Sequence, residues 1–312
     1  MIEAIQSWYL ANARPLPWRE IPPDPYRVLV SEFMCQQTQI QTVLPYFDRW
    51  MASFPSVNSV AEADVSELMS LWQGLGYYRR VRNLKQVCDR VAQNGWPRQY
   101  DDWLSQPGIG KYTAAALASI LDGQRVAVVD GNVARFFARH AASDAIGSQL
   151  LSKAQTWANG LIKEAECPGA FNQALMEIGA RVCTPRRPCC DVCPVQSSCH
   201  SFGQGLQEEY PRKKPTAKPI PIIMPTRVCI RNGRVALSLP TNGWWDGLWC
   251  LPPETEETER PPEKVLIHTV TNHRVELRLY RKDEMPQHST WFDLTDLPPM
   301  PAPHRRGLRQ LA

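Results

Sequence analysis

Residues 106–135 read QPGIGKYTAAALASILDGQRVAVVDGNVAR, and this stretch decides the fold. Pro107-Gly108-Ile109-Gly110 is a tight apolar turn, and the alanine-rich run from Thr113 to Leu121 has strong helix propensity, so a hairpin between two helices is predicted. Glycines at 108 and 110 allow a sharp turn and a close approach to another molecule. The helix that follows presents unpaired N–H groups at its positive end, as a phosphate requires. Asp130 then closes an apolar run, Val126-Ala127-Val128-Val129. An acid beside a phosphate-gripping turn suits chemistry on a nucleic-acid backbone or its sugar, while the turn alone would equally fit a structural helical hairpin.

Working outward, 312 residues allow one large domain or two modest ones, and 43% hydrophobic content supports a real core. No apolar run approaches the roughly 20 residues of a membrane span. Met1 to Leu10 contains Glu3 and lacks signal-peptide architecture, so a cytosolic protein without membrane association is expected. A net charge of +4 and a pI near 8.5 favour nucleic acid only weakly. Ten cysteines in such a chain call for a reason other than disulfides, and five of them crowd into residues 183–199.

Arg14-Pro15-Leu16-Pro17-Trp18-Arg19 and Pro22-Pro23-Asp24-Pro25 predict a rigid arm after a short helix. Helical spacing runs through Leu29, Phe33, Ile40, Leu44 and Phe47. Further helices are predicted over Val60 to Trp72, Arg79 to Gln93, Asp101 to Ser105, Thr113 to Leu121, Asn132 to Arg139, Leu150 to Leu161 and Phe171 to Val182. Residues 206–225 hold five prolines and four basic residues and read as an extended linker. Beyond it, Arg227 to Ile230, Arg234 to Leu239, Val265 to Val270 and Val275 to Tyr280 read as strands, with Asn232-Gly233 as a hairpin turn.

Two patterns carry chemistry. Ser31-Glu32-Phe33-Met34-Cys35-Gln36-Gln37-Thr38-Gln39 sets one acid in an apolar, amide-bearing helix, where burial would raise a carboxyl pKa toward that of a general acid. Cys183, Cys190, Cys193 and Cys199 are spaced C-x6-C-x2-C-x5-C, four thiolates able to hold zinc or an iron-sulfur cluster. Zinc sites more often use two C-x2-C pairs, and one is present here.

Pro-Gly-Ile-Gly-Lys-Tyr-Thr-Ala followed by Val-Asp-Gly-Asn-Val resembles the helix-hairpin-helix and Gly/Pro-rich loop with its aspartate of the DNA glycosylase superfamily. The segment from Glu32 is similar to the Glu-x-Met-x-Gln-Gln-Thr-Gln motif of its MutY family of adenine DNA glycosylases. The resemblance implies a mainly α fold. A helix-hairpin-helix glycosylase body with an iron-sulfur loop is expected over 1–205, a Pro/basic linker over 206–225 and a small, β-rich, Nudix-like recognition domain over 226–312.

The resemblance also implies roles. Glu32 protonates the base, Asp130 stabilises the sugar cation and Asn132 orients Asp130 or the water. Tyr112 stands where lyase-type relatives carry a lysine, and Ala134 stands where some carry another, which implies a monofunctional hydrolase. A base inside a duplex must be flipped out. Gln36, Gln37 and Tyr77 match wedge or probing positions, with Arg79, Arg82, Gly108, Gly110 and Lys111 as further DNA contacts. Leu16, Trp18, Arg19, Gln173 and Met176 match the adenine pocket. The cysteine spacing matches the [4Fe-4S] loop of the endonuclease III and MutY superfamily, with a structural role expected.

Gly243-Trp244-Trp245-Asp246-Gly247-Leu248-Trp249-Cys250-Leu251-Pro252 resembles the Gly-Leu-Trp-Gly-Gly-Leu-Trp-x-x-Pro segment of the family's Nudix-like domain. There is no Gly-x5-Glu-x7-Arg-Glu box, so recognition is expected rather than pyrophosphatase chemistry. Val270, Thr271 and Asn272 align with the family's Phe-Ser-His triplet that inspects the opposite base, with His273 one residue along. The implied partner is duplex DNA with adenine mispaired with 8-oxoguanine or guanine, bound by a cytoplasmic, nucleoid-associated monomer. A thymine or uracil glycosylase of the same fold is the alternative, disfavoured by Gln-Gln-Thr-Gln. A non-catalytic iron-sulfur DNA-binding protein is another, opposed by the presence of Glu32, Asp130 and Tyr112.

Overall fold

In the computed structural model the helices run, in chain order, α1 (Ile2–Asn12), α2 (Pro25–Cys35), α3 (Ile40–Ser53), α4 (Val57–Glu62), α5 (Val65–Leu71), α6 (Arg79–Asn94), α7 (Tyr100–Leu104), α8 (Lys111–Asp122), α9 (Gly131–His140), α10 (Gly147–Ile162), α11 (Pro168–Arg181), α12 (His200–Gly203) and α13 (Ala302–Leu311). The strands are β1 (Ile220–Val228), β2 (Ile230–Arg231), β3 (Arg234–Ser238), β4 (Lys264–Val270), β5 (His273–Arg281) and β6 (Ser289–Asp293). The described residues are 1–212, 218–241, 243–255, 260–286 and 288–311; the part of the expected linker at 213–217 lies outside them. The chain forms two compact units. Unit 1 is Met1–Glu62 with Asn83–Pro215, and unit 2 is Ala63–Arg82 with Thr216–Ala312.

Unit 1 is all helical, as its periodicity predicts. The helix α2 starts where Asp24 caps it, accepting from the main-chain N–H of Tyr26 at 2.8 Å and Arg27 at 3.1 Å, with Pro25 at the first helical position. Its face Val28, Leu29, Val30 and Phe33 is fully buried, each side chain worth roughly 1.5–3 kcal/mol of transfer from water. The helical spacing that runs from Leu29 to Phe47 is broken between α2 and α3, and there Gln37 takes a left-handed φ of 56°. The helix α11 packs with α1, α8 and α9 around Ile5, Val133, Phe136, Phe171, Leu175 and Ile178. At Gly179 the approach of α11 to α9 is so close that a Cβ would lie 2.7 Å from Asn132 Cβ.

Unit 2 holds two three-stranded sheets, ordered β1-β5-β4 and β2-β3-β6, with β1 parallel and β4 antiparallel to β5. Its core is Val228, Val235, Leu237, Leu251, Leu266, Leu277, Leu279, Met300 and Leu308. Three features differ from expectation. The predicted helix over Val60 to Trp72 is two helices, broken at Ala63-Asp64, where the chain passes from unit 1 to unit 2. The strand β1 begins inside the expected linker, at Ile220. Ile220 N–H donates to Asn272 O at 2.9 Å, so alternate N–H groups face β5 and the N-positions of Pro221 and Pro225 point away from it, where no β1–β5 bond is lost. Finally, β6 and α13 lie in a stretch dense in prolines and charges whose pattern predicted neither.

Candidate active site

Glu32 lies on the core-facing side of α2, with Phe33 and Met34 beside it fully buried. Its carboxyl keeps a partial opening to the surface, yet burial among protein atoms pushes its pKa up to about 7. The charge of Asp130 pushes the same way, and Arg19 opposes. Asp130 is the N-cap of α9. One oxygen accepts from Val133 N–H at 2.8 Å and the other from Asn132 Nδ2 at 2.8 Å, so both oxygens act as acceptors in a fixed orientation. Asn132 is itself held, its Oδ1 accepting from Arg135 Nη2 at 2.9 Å, while Arg135 also donates to the carbonyls of Gly179 at 2.7 Å and Cys183 at 2.8 Å.

Tyr112, in the first turn of α8, donates its hydroxyl to Met176 Sδ at 3.0 Å. Burial first, then the charges of Glu32 and Asp130, hold its pKa well above the ordinary tyrosine value, so the hydroxyl stays protonated. The segment that delivers Asp130 is locked by Asn172, a residue that sequence reasoning passed over. Fully buried on α11, it accepts from Val128 N–H at 3.0 Å and donates to Val126 O and Ser119 Oγ, each at 2.9 Å.

Arg19 and Gln173, two of the expected pocket residues, share Tyr9 as a neighbour, and Arg19 is bonded to a second acid that the sequence did not single out. Glu177 is 1% exposed on α11 and accepts from Arg14 Nη2 and Arg19 Nη2, each at 2.9 Å. Burial pushes its pKa up, but the bonds and charges of Arg14 and Arg19 outweigh burial and hold it below the usual carboxylate value. Arg19 also lies over the Tyr9 ring at 5.4 Å, and Tyr9 donates to Gln173 Oε1 at 3.1 Å. Leu16 is buried, and Trp18 packs edge-on against Phe47 at 5.0 Å.

Expected DNA contacts occur in both units. In unit 1, Gly108 has φ 71°, and a Cβ there would lie 2.2 Å from the Asn83 amide. Gly110 caps α8 with open space around its Cβ position, and Lys111 is exposed. Gln36 Nε2 reaches Gly108 O at 3.5 Å and Thr113 Oγ1 at 3.4 Å, while Gln37 is exposed. In unit 2, Tyr77 is 52% exposed in a left-handed conformation with φ 50°, an expensive state for an aromatic residue. Arg80 braces it from below, donating to Leu75 O at 3.1 Å and Gly76 O at 3.0 Å, with its guanidinium 5.4 Å from the Tyr77 ring. The three arginines after Tyr77 therefore differ: Arg79 is exposed, Arg80 is a buried brace and Arg82 is bonded to Asp246. The helical spacing could not distinguish them.

Val270 pairs with His273, which leaves Thr271 and Asn272 as an exposed two-residue hairpin tip with Thr271 at φ 54°. The Trp244 ring, 42% exposed, stands 5.0 Å from that of His273.

Cys183, Cys190, Cys193 and Cys199 are free thiols lining one cavity with Phe136, Arg139 and Val195. Among the described residues no three His, Cys, Asp or Glu side chains converge tightly enough for a single metal ion. Four thiols on one cavity are a donor set that either a zinc ion or an iron-sulfur cluster could take. Arg139, 2% exposed, donates to Cys183 Sγ at 3.4 Å and to Thr184 O at 2.6 Å. Burial pushes the thiols of Cys183 and Cys190 up and that of Cys193 to about 11, so thiolates here require a compensating cation.

Residues 30–159 match the description of the HhH-GPD superfamily base excision DNA repair protein family. The chain is 41% identical over 257 residues to the adenine DNA glycosylase of Homo sapiens, covering 78% of this chain and 46% of the relative. It is 29% identical over 291 residues to that of Buchnera aphidicola, covering 86% and 80%. The chain spans about half the length of the Homo sapiens and Rattus norvegicus relatives it matches, 46% and 51%. A thermostable thymine-DNA glycosylase matches with a TM-score of 0.57 at 25% identity, over 65% of this chain and 95% of that one. An endonuclease III–DNA complex matches with a TM-score of 0.54 at 19% identity, over 66% and 95%, a likeness of fold. The family resemblance and the mainly α glycosylase fold expected from the sequence are thereby borne out.

Proposed function

We propose that the chain, similar over residues 30–159 to the HhH-GPD superfamily of base excision DNA repair proteins, is a member of it and hydrolyses the N-glycosidic bond of adenine mispaired with 8-oxoguanine or guanine in duplex DNA. The observation that carries the reading is the pair of acids with different surroundings. Glu32 is protonated up to about pH 7, and Asp130 has both oxygens engaged as acceptors by an N-cap and an amide. Glu32 gives its proton to a ring nitrogen of the flipped base as the bond electrons leave with that base. Asp130 balances the positive charge left on the sugar. Water then adds to the sugar carbon and Glu32, now a carboxylate, takes its proton, which restores the acid. Tyr112, protonated and bonded to Met176, provides no nucleophile, and Ala134 provides no amine, so an abasic site without strand cleavage is the product.

Cys183, Cys190, Cys193 and Cys199 would hold a [4Fe-4S] cluster. When bound, the group would tie the four cysteine sulfurs of the 183–199 loop together, and Arg139, on the same cavity, donates to the Cys183 sulfur. Iron and sulfide in equal amounts in the purified protein support this; one zinc overturns it. The activity is tested by single-turnover release from duplexes that differ only in the base opposite one adenine. Fast release opposite 8-oxoguanine or guanine is expected. No adenine release, with release of thymine or uracil opposite guanine, would replace this reading by the alternative.

A further inference from the structure

Unit 2 contains a contact that the reaction above leaves without a role. Arg82 donates through Nη1 to Asp246 Oδ2 at 3.0 Å and through Nη2 to the Asp246 main-chain carbonyl at 2.7 Å. The seat admits the guanidinium only because residue 247 is glycine, since a Cβ there would lie 1.5 Å from Arg82 Nη2, and Gly247 also has φ 69°. Asp246 stands in the Gly-Trp-Trp-Asp-Gly turn and is the acid of that turn.

The contact joins two probing elements. From Arg82 the chain runs back through the Arg80 brace to the exposed, left-handed Tyr77. From Asp246 the turn runs to Trp245, edge-on to the buried His304 ring at 4.4 Å, and to Trp244, 5.0 Å from His273 at the foot of the Thr271-Asn272 tip. Both probes therefore ride on one braced body, and the Arg82–Asp246 clasp is its charged joint. An ion pair with side chains 26% and 46% exposed contributes little stability on its own, so its value lies in geometry.

We propose that Asp246 is a positioning residue which, by clasping Arg82, sets the register between Tyr77 and the Thr271-Asn272 tip and so makes base release depend on the purine opposite the target. The inference rests on the proposed adenine-releasing activity. Glu32 and Asp130 belong to unit 1, so loss of the clasp leaves the chemical step in place and removes discrimination.

The test uses the full chain and single-turnover release of adenine opposite 8-oxoguanine and opposite guanine. For Asp246→Ala the ratio of the two rates should fall by up to roughly fivefold while release from the better duplex stays within about twofold, the scale of losing one half-exposed ion pair. Arg82→Ala should lower the ratio similarly, and the double variant no further, since the two residues form one joint. A merely structural role would instead lower both rates together. Additive single effects, an unchanged ratio in Asp246→Ala, or equal wild-type rates opposite both purines would overturn the clasp. A wild type that releases no adenine from either duplex would instead sink the activity on which it rests.

Discussion

Helices α2 and α11 each place one glutamate within reach of the same guanidinium, that of Arg19, and the two acids end in opposite states. Glu32 feels Arg19 only as a distant charge, loses most of its water and is raised to about 7. Glu177 is buried more deeply, at 1% exposure, yet accepts bonds from Arg14 and Arg19 and is lowered. Burial alone therefore does not make an acid catalyst: a desolvated carboxyl without donors keeps its proton, and one with two guanidinium donors loses it. The first is suited to giving a proton away, the second to holding the pocket's arginines still.

The comparison breaks most visibly at Glu32. Replacing it with glutamine removes the proton donor and leaves shape intact. Base release should fall by roughly 10²–10⁴, the range for a positioned general acid, with duplex affinity retained. Single-turnover release beside a binding titration reads both, and an active Glu32→Gln protein would mean that the proton comes from elsewhere. At Glu177 the same substitution should act on folding. It strands Arg14 and Arg19 beside a neutral amide, and breaking one side of a buried pair costs about 3–5 kcal/mol. Because Arg14 is 29% exposed, solvent screening places the expected loss at or below the lower end, about 2–3 kcal/mol, in denaturant unfolding.

How much of this was legible follows from sequence distance. Glu32, the Gly108 turn, Asp130 with Asn132 and the four cysteines are local patterns, each within one motif, and the structure keeps each motif together. Glu177 meets Arg14 across 163 residues, and Arg82 meets Asp246 across 164. No spacing rule sees such pairs, because each partner alone resembles an ordinary surface charge of a helix, arm or turn. The same limit hid the start of β1, whose prolines signal a linker until the strand is known to be an edge. It also hid the difference between Arg79, Arg80 and Arg82, which is set by the main-chain carbonyls of a loop and not by the helix that carries them.

A smaller effect sharpens the contrast from the stability side. A carboxyl whose folded pKa lies above its unfolded value binds its proton more tightly when folded. Stability therefore falls as pH rises from the unfolded value of 4.5, and the deficit is complete above about 7. Glu32→Gln should remove that deficit, so the variant should be more stable than wild type at pH 8 by about 3 kcal/mol and near equal at pH 4. Equal stability of the two proteins at both pH values would show that Glu32 is not held in its acid form.

The smallest effect ties the two acids together. Glu177 neutralises Arg19, and Arg19 is the one charge among those acting on Glu32 that lowers its pKa, against burial and Asp130. In Glu177→Gln the Arg19 charge is no longer balanced, so Glu32 should release its proton more easily. In the proposed mechanism base release depends on protonated Glu32, so its decline with rising pH should move to lower pH by roughly half a unit to one unit. The profile is measured below the variant's unfolding temperature, with wild type alongside, so that folded protein is compared with folded protein. A slower variant with an unmoved limb would assign Glu177 to scaffold alone. A limb displaced upward would mean that Arg19, freed from Glu177, turns away from Glu32, which would make the guanidinium's orientation and not its charge the thing that Glu177 controls.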